Sequence, residues 1–179
     1  ENPDTPPELK DKLLFIQSVR EFAAKTLLLP VKEHYLNYVE LNRPYVVWNV
    51  FAAPELSLSP ETWCFPIVGC VTYRGYFKEA EARRFGDTLS QKGLDVYIGG
   101  AIAYSTLGWF DDPVLSTFVN LSAADTAALI FHELAHGLLY IPDDTAFNES
   151  FATAVAQEGL GRGIPPEGRR LVRDRLQDR

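Results

Sequence analysis

The chain has no methionine, only three histidines and two cysteines in 179 residues, and it is short of positive charge, with 17 Lys+Arg against 24 Asp+Glu. A net charge of −7 argues against a nucleic-acid partner held by phosphate neutralisation. Long apolar runs are also missing. The longest uncharged stretch, Val96 to Phe110, is interrupted by Gly99, Gly100, Ser105 and Gly108, too short and polar to span a bilayer. Two cysteines are too few for a disulfide scaffold or a zinc ribbon. Cys64 and Cys70 permit one disulfide, and with it an exported location, or else two buried thiols acting as small hydrophobes. The missing methionine includes position 1, which is Glu1, so the expectation is a core cut from a longer precursor.

What is present is an ordinary globular composition: 46% hydrophobic, 12% aromatic and 23% charged residues. Charge divides the chain. Residues 1–161 carry −10, whereas 162–179 carry +3 from Arg162, Arg169, Arg170, Arg173, Arg175 and Arg179. The expected organisation is one domain over 1–161, followed after a Gly/Pro-rich hinge by a basic helix remnant over 162–179. Thr5-Pro-Pro-Glu8 has the form of a capping box, and Leu9, Leu13, Ile16, Ala23 and Leu27 continue it at helical spacing until Pro30. Tyr45 to Phe51 and Ile67 to Tyr73 read as strands, and Lys78 to Lys92 as a helix closed by Gly93. Asp95 to Leu107, broken by Gly99-Gly100, gives one bent strand or two short ones. Ser122 caps a helix to about Leu139, and another runs from Thr145 to about Glu158. Together these make an α+β domain.

The chemistry lies in Ile130-Phe-His132-Glu133-Leu-Ala-His136-Gly-Leu138, an H-E-x-x-H pentapeptide inside a predicted helix. Residues i and i+4 stand one above the other on a helix, so His132 and His136 can direct imidazole nitrogens at one metal ion, with Glu133 beside them as a general base. A catalytic zinc site needs a third protein ligand. Pro142 stands where the metzincin pattern requires histidine, and His34, far up the chain, reads as a surface histidine. Asp143, Asp144, Glu149 and Glu158 remain. Two antiparallel helices joined by Tyr140 to Asp144 would face Glu149 back to the metal, giving the His₂Glu set of zinc peptidases. Glu158 lies too far along, and the aspartates suit a helix cap, though an aspartate ligand stays open.

His-Glu-Leu-Ala-His136 followed by Asn148-Glu149-Ser-Phe-Ala152 resembles the gluzincin metallopeptidases, in which a glutamate on a following helix completes the zinc site. Arg43 to Pro54, Thr62 to Pro66, Gly69 to Phe77, Ala103 to Pro113 and Asp144 to Ala152 together resemble a bacterial family described as predicted aminopeptidases. That resemblance implies a zincin-like fold, a small mixed sheet packed on the H-E-x-x-H helix with a ligand-bearing helix after it. It also implies one Zn²⁺ per chain, a peptide or protein substrate, and a periplasmic or envelope location, the precursor exported or lipid-anchored. Two departures stand out. The aspartate that thermolysin-like enzymes place four residues after the ligand glutamate is Thr153 here. The strand region Gly99 to Tyr104 has no acid to hold a substrate ammonium, for which Asp111 or Asp112 could serve, each being equally a turn residue before Pro113.

The expected reaction is metal-assisted hydrolysis of a peptide bond with Glu133 moving the proton. Tyr104 and Tyr73 are candidate oxyanion donors, with packing aromatics as the other reading. A strand over Ala101 to Leu107 could bind peptide by edge addition. Two alternatives to an aminopeptidase are a zinc endopeptidase and a non-catalytic, zinc-stabilised peptide-binding domain.

Overall fold

A computed structural model describes residues 5–66, 69–104 and 110–163. The elements are α1 (Pro7–Lys25), β1 (Tyr38–Val39), β2 (Val47–Pro54), β3 (Trp63–Phe65), β4 (Gly69–Val71), β5 (Arg74–Tyr76), α2 (Glu79–Ser90), β6 (Leu94–Ala101), β7 (Val114–Leu115), α3 (Ala123–Leu138) and α4 (Thr145–Gly161). The basic tail beyond Gly163, and Ser105 to Leu107 of the expected last strand, lie outside the described residues. The fold is mixed α/β, with four helices and small sheets among the described residues. It forms two compact units, one from residues 1–42, 105–140 and 149–179, the other from 43–104 and 141–148.

The first unit is mainly helical. α1 buries Phe15, Ile16, Val19 and Ala23, a stripe recurring at three- and four-residue intervals. α3 buries Ala127, Ile130, Phe131, Leu134 and Ala135, and the Phe22 and Phe131 rings lie 5.8 Å apart. On α4, Gly159 is a steric requirement, because a Cβ there would lie 2.6 Å from a Phe131 ring carbon and 2.8 Å from Leu27. β1 and β7 form a two-residue parallel pair. The expected Thr5 cap is absent: the residue before α1 is Pro6, which makes no side-chain cap bond, since proline has no polar atom to offer.

In the second unit β2 is the middle strand of an antiparallel sheet, ordered β5-β2-β6. Its start, Val47, is shifted two residues from the expected Tyr45, whose ring packs on the neighbouring strand. A Cβ on Gly100 would fall 2.2 Å from that ring, which also meets Trp48 edge to face. The Gly99-Gly100 pair therefore does not break the strand, and β6 runs continuously from Leu94 to Ala101, paired with β2 throughout. Val50 and Ala52 of β2 pack with Ala82 and Leu89 of α2 to form this unit's core. The expected strand over Ile67 to Tyr73 is shorter among the described residues. β3 and β4 pair as a hairpin, with Cys64 directly opposite Cys70, and a disulfide joins them.

Candidate metal centre

α3 is placed by its first residue. The Ser122 hydroxyl accepts the Asp125 backbone N–H at 3.1 Å, satisfying one of the donors that a helix start leaves open. From that start the buried stripe is fixed by helical periodicity, and the two H-E-x-x-H histidines fall together beside it. His132 and His136 cross their rings edge to face, centroids 4.9 Å apart, with their Nε2 atoms 3.2 Å from each other.

The chain then turns through Tyr140 to Asp144. Asp143, in the left-handed region at φ 69°, accepts the Cys70 N–H through Oδ1. Gly69 is needed opposite it, both for its own φ of 73° and because a Cβ would lie 2.6 Å from that oxygen. Asp144 Oδ1 accepts the Phe147 N–H at 2.9 Å and caps α4. Asn148, buried, grips Ile141 on both sides: Oδ1 accepts its N–H and Nδ2 donates to its carbonyl, each at 2.8 Å. Both aspartates thus serve as turn and cap residues, and Glu158 pairs with Arg162 on the exposed side of α4.

Glu149, in the second turn of α4, places one carboxylate oxygen 3.2 Å from His132 Nε2 and the other 3.8 Å from His136 Nε2. The ligand atoms of the three residues all lie within 4.8 Å of one another, a group that could hold a metal ion. The donor chemistry fits a borderline cation such as zinc: two imidazole nitrogens and a carboxylate converge. His136 Nδ1 is buried with no hydrogen-bond partner among the described residues. The residue four after Glu149, Thr153, is exposed.

Electrostatics in the metal-free state follow the same geometry. The Glu149 hydrogen bond holds His132 above the usual imidazole range, against the opposing cost of burial, and His132 in turn holds Glu149 low. Burial draws His136 down. Glu133 is pushed up to about 7 by burial, with His132 opposing and the Glu149 and Asp112 charges adding to the rise.

His34 and Asp112 also belong to this unit. His34 is not a surface histidine: it is 5% exposed, its Nδ1 accepting the Asp112 backbone N–H at 3.0 Å. The burial comes from a turn that lays residues 34–37 along 112–114 and leads into the β1–β7 pair. Asp112 is 7% exposed while Asp111 is exposed, so the two differ in what they can do. Of the expected tyrosines, Tyr73 lies in the sheet unit with its ring 5.7 Å from Phe51, and Tyr104, in the same unit, is 48% exposed. A pairing across 78 positions leaves no local pattern to read, and the sole hint of His34's role was that the chain has so few histidines.

No helix among the described residues is long and apolar enough to cross a membrane. No curated protein and no solved structure gives a significant match. Residues 1–178 match a family model described as "Putative aminopeptidase", and the chain belongs to that family.

Proposed function

We propose that the protein is a zinc-dependent peptidase of gluzincin type on a zincin-like fold, removing residues from the amino terminus of peptides. The observation that carries this reading is the convergence of His132 Nε2, His136 Nε2 and the Glu149 carboxylate, with Glu133 adjacent on the same helix. These three residues would hold one Zn²⁺. Bound there, zinc supplies a water of lowered pKa and a polarised scissile carbonyl. Glu133 accepts a proton from the attacking water at its carboxylate and delivers it to the departing amine. Tyr104 and Tyr73 carry over from the sequence as oxyanion donors. A periplasmic or envelope location belongs to the same proposal, supported by the Cys64–Cys70 disulfide.

Elemental analysis of purified protein should give about one zinc per chain, dependent on His132, His136 and Glu149. Glu133→Gln should keep that zinc and lower turnover by roughly 10²–10⁴-fold. A peptide library with free and blocked amino termini tests substrate class directly. Cleavage of free-ended peptides alone is the expected result; equal cleavage of both makes the protein an endopeptidase, and cleavage of neither removes the peptidase reading. Tyr104→Phe and Tyr73→Phe, compared singly, should show one variant losing roughly 10²–10³-fold in kcat; two active variants would withdraw the tyrosine assignment.

A further inference from the structure

Beside Glu133 lies a small, largely enclosed cavity with room for about one water molecule. It is lined by Glu133, Leu134 and Gly137 of α3 and by Pro30, His34, Tyr35 and Asp112. With about 100° of rotation per residue, Glu133 and Gly137 lie on the flank of α3 next to the one that carries His132 and His136, and Leu134 lies further round still. The cavity therefore meets the proposed base without involving a proposed ligand.

His34 and Asp112 are costly residues to bury, and the structure commits several bonds to keeping them there. The His34 N–H donates to the Val31 carbonyl at 3.0 Å, Arg20 Nε donates to the His34 carbonyl at 2.8 Å, and the Tyr35 N–H donates to the Asp112 carbonyl at 2.7 Å. Gln17 Nε2 donates to the Tyr35 carbonyl at 2.7 Å, and Tyr35 packs edge to face on Phe118. Tyr35 nevertheless sits at φ 61°, a left-handed conformation that a bulky side chain resists. Strain of this kind persists where the surroundings over-determine a segment, and such segments concentrate at functional sites.

The hydrogen bonds also assign the ring proton. Nδ1 of His34 accepts the Asp112 N–H at 3.0 Å while Asp112 Oδ2 stands 3.3 Å from the same nitrogen. A nitrogen that accepts cannot also donate to the carboxylate, so the network selects the tautomer protonated at Nε2. From these observations we infer that His34 and Asp112 form a positioning pair for Glu133: Asp112 orients the imidazole, and its Nε2–H holds the Glu133 carboxylate, through one water in the shared cavity, in the orientation proton transfer requires. This rests on the peptidase reading above, and its test separates the two.

His34→Asn keeps an acceptor where Nδ1 stood and so preserves the bond from Asp112, but it removes the Nε2 donor. His34→Gln restores a donor near the Nε2 position. If the pair positions Glu133, His34→Asn should lower kcat on the order of ten- to hundredfold with KM and zinc content unchanged, and His34→Gln should recover part of the loss. A purely structural staple predicts that His34→Asn, melting like the parent, keeps the parent's kcat, and that result would overturn the inference. A second reading needs no activity. In metal-free protein, ring ¹⁵N spectra should show the Nε2–H tautomer for His34, and Glu133→Gln should move those resonances whereas the control Glu158→Gln should not. Unmoved resonances would equally overturn the pair. A parent inactive on every peptide removes the peptidase reading, and the spectra alone then decide whether His34 engages Glu133.

Discussion

Glu133 is the residue at which sequence position, burial and charge meet. Its carboxyl is pushed to about 7 from an ordinary 4.5, chiefly by burial, with the Glu149 and Asp112 charges adding to the rise. An acid whose folded pKa is raised contributes stability that is fully present below the unfolded pKa and is lost as pH rises through the folded one. In metal-free protein the stability of the parent relative to Glu133→Gln should therefore fall between about pH 4.5 and pH 7.5, by up to roughly 3 kcal/mol. Denaturant melts of both proteins in chelator at pH 5 and pH 8 measure this. Parallel curves would mean that Glu133 is solvated and ionised throughout, and its raised pKa would be withdrawn. Comparison of the two proteins removes the His136 contribution, whereas the charge coupling of Glu133 to His132 and Glu149 stays in the difference.

At the scale of elements, what the sequence made legible was local. The Ser122 cap, the stripe of α3 and the i, i+4 histidines all follow from contacts within one helix, and the helix carrying Glu149 begins at Thr145 as its turn residues imply. What stayed hidden was decided by distant partners. β1 and β7 are two residues each, too short for any period, and exist because residues 35–39 and 112–116 exchange backbone bonds. That same pairing buries His34, so one unreadable strand pair accounts for the missed residue. Asn148 shows how the loop between α3 and α4 is held: two bonds to Ile141 from a buried amide. Asn148→Ala removes both and leaves the Ile141 backbone to find water, a loss of about 1–3 kcal/mol. Asn148→Asp keeps an acceptor for the N–H but no donor for the carbonyl, and should fall between. Equilibrium urea denaturation checks the order parent, Asp, Ala; an alanine variant as stable as the parent would show that the loop closes without the amide.

For the whole molecule, the three candidate ligands come from two helices, and Glu149, half-exposed, meets the histidines through its carboxylate. In the metal-free state that contact depends on an imidazole–carboxylate pair that water can weaken. A cation bound by all three ties α3 to α4 in the folded state alone, so its binding free energy becomes folding free energy. At a free zinc concentration a thousandfold above Kd, the linkage amounts to about 4 kcal/mol, a rise of roughly ten degrees in melting temperature for a chain of this size. Removal with chelator should reverse the rise, and zinc restored to stoichiometry should recover it. Glu149→Ala retains two imidazoles, so it should bind zinc more weakly and lose most of the shift; His132→Ala and His136→Ala should do the same. Glu133→Gln should keep the full shift, because Glu133 is assigned to the proton and not to the metal. A zinc-dependent rise that survives Glu149→Ala but disappears in Asp143→Ala or Asp144→Ala would move the third ligand into the turn, even though both aspartates are bonded to backbone N–H groups there.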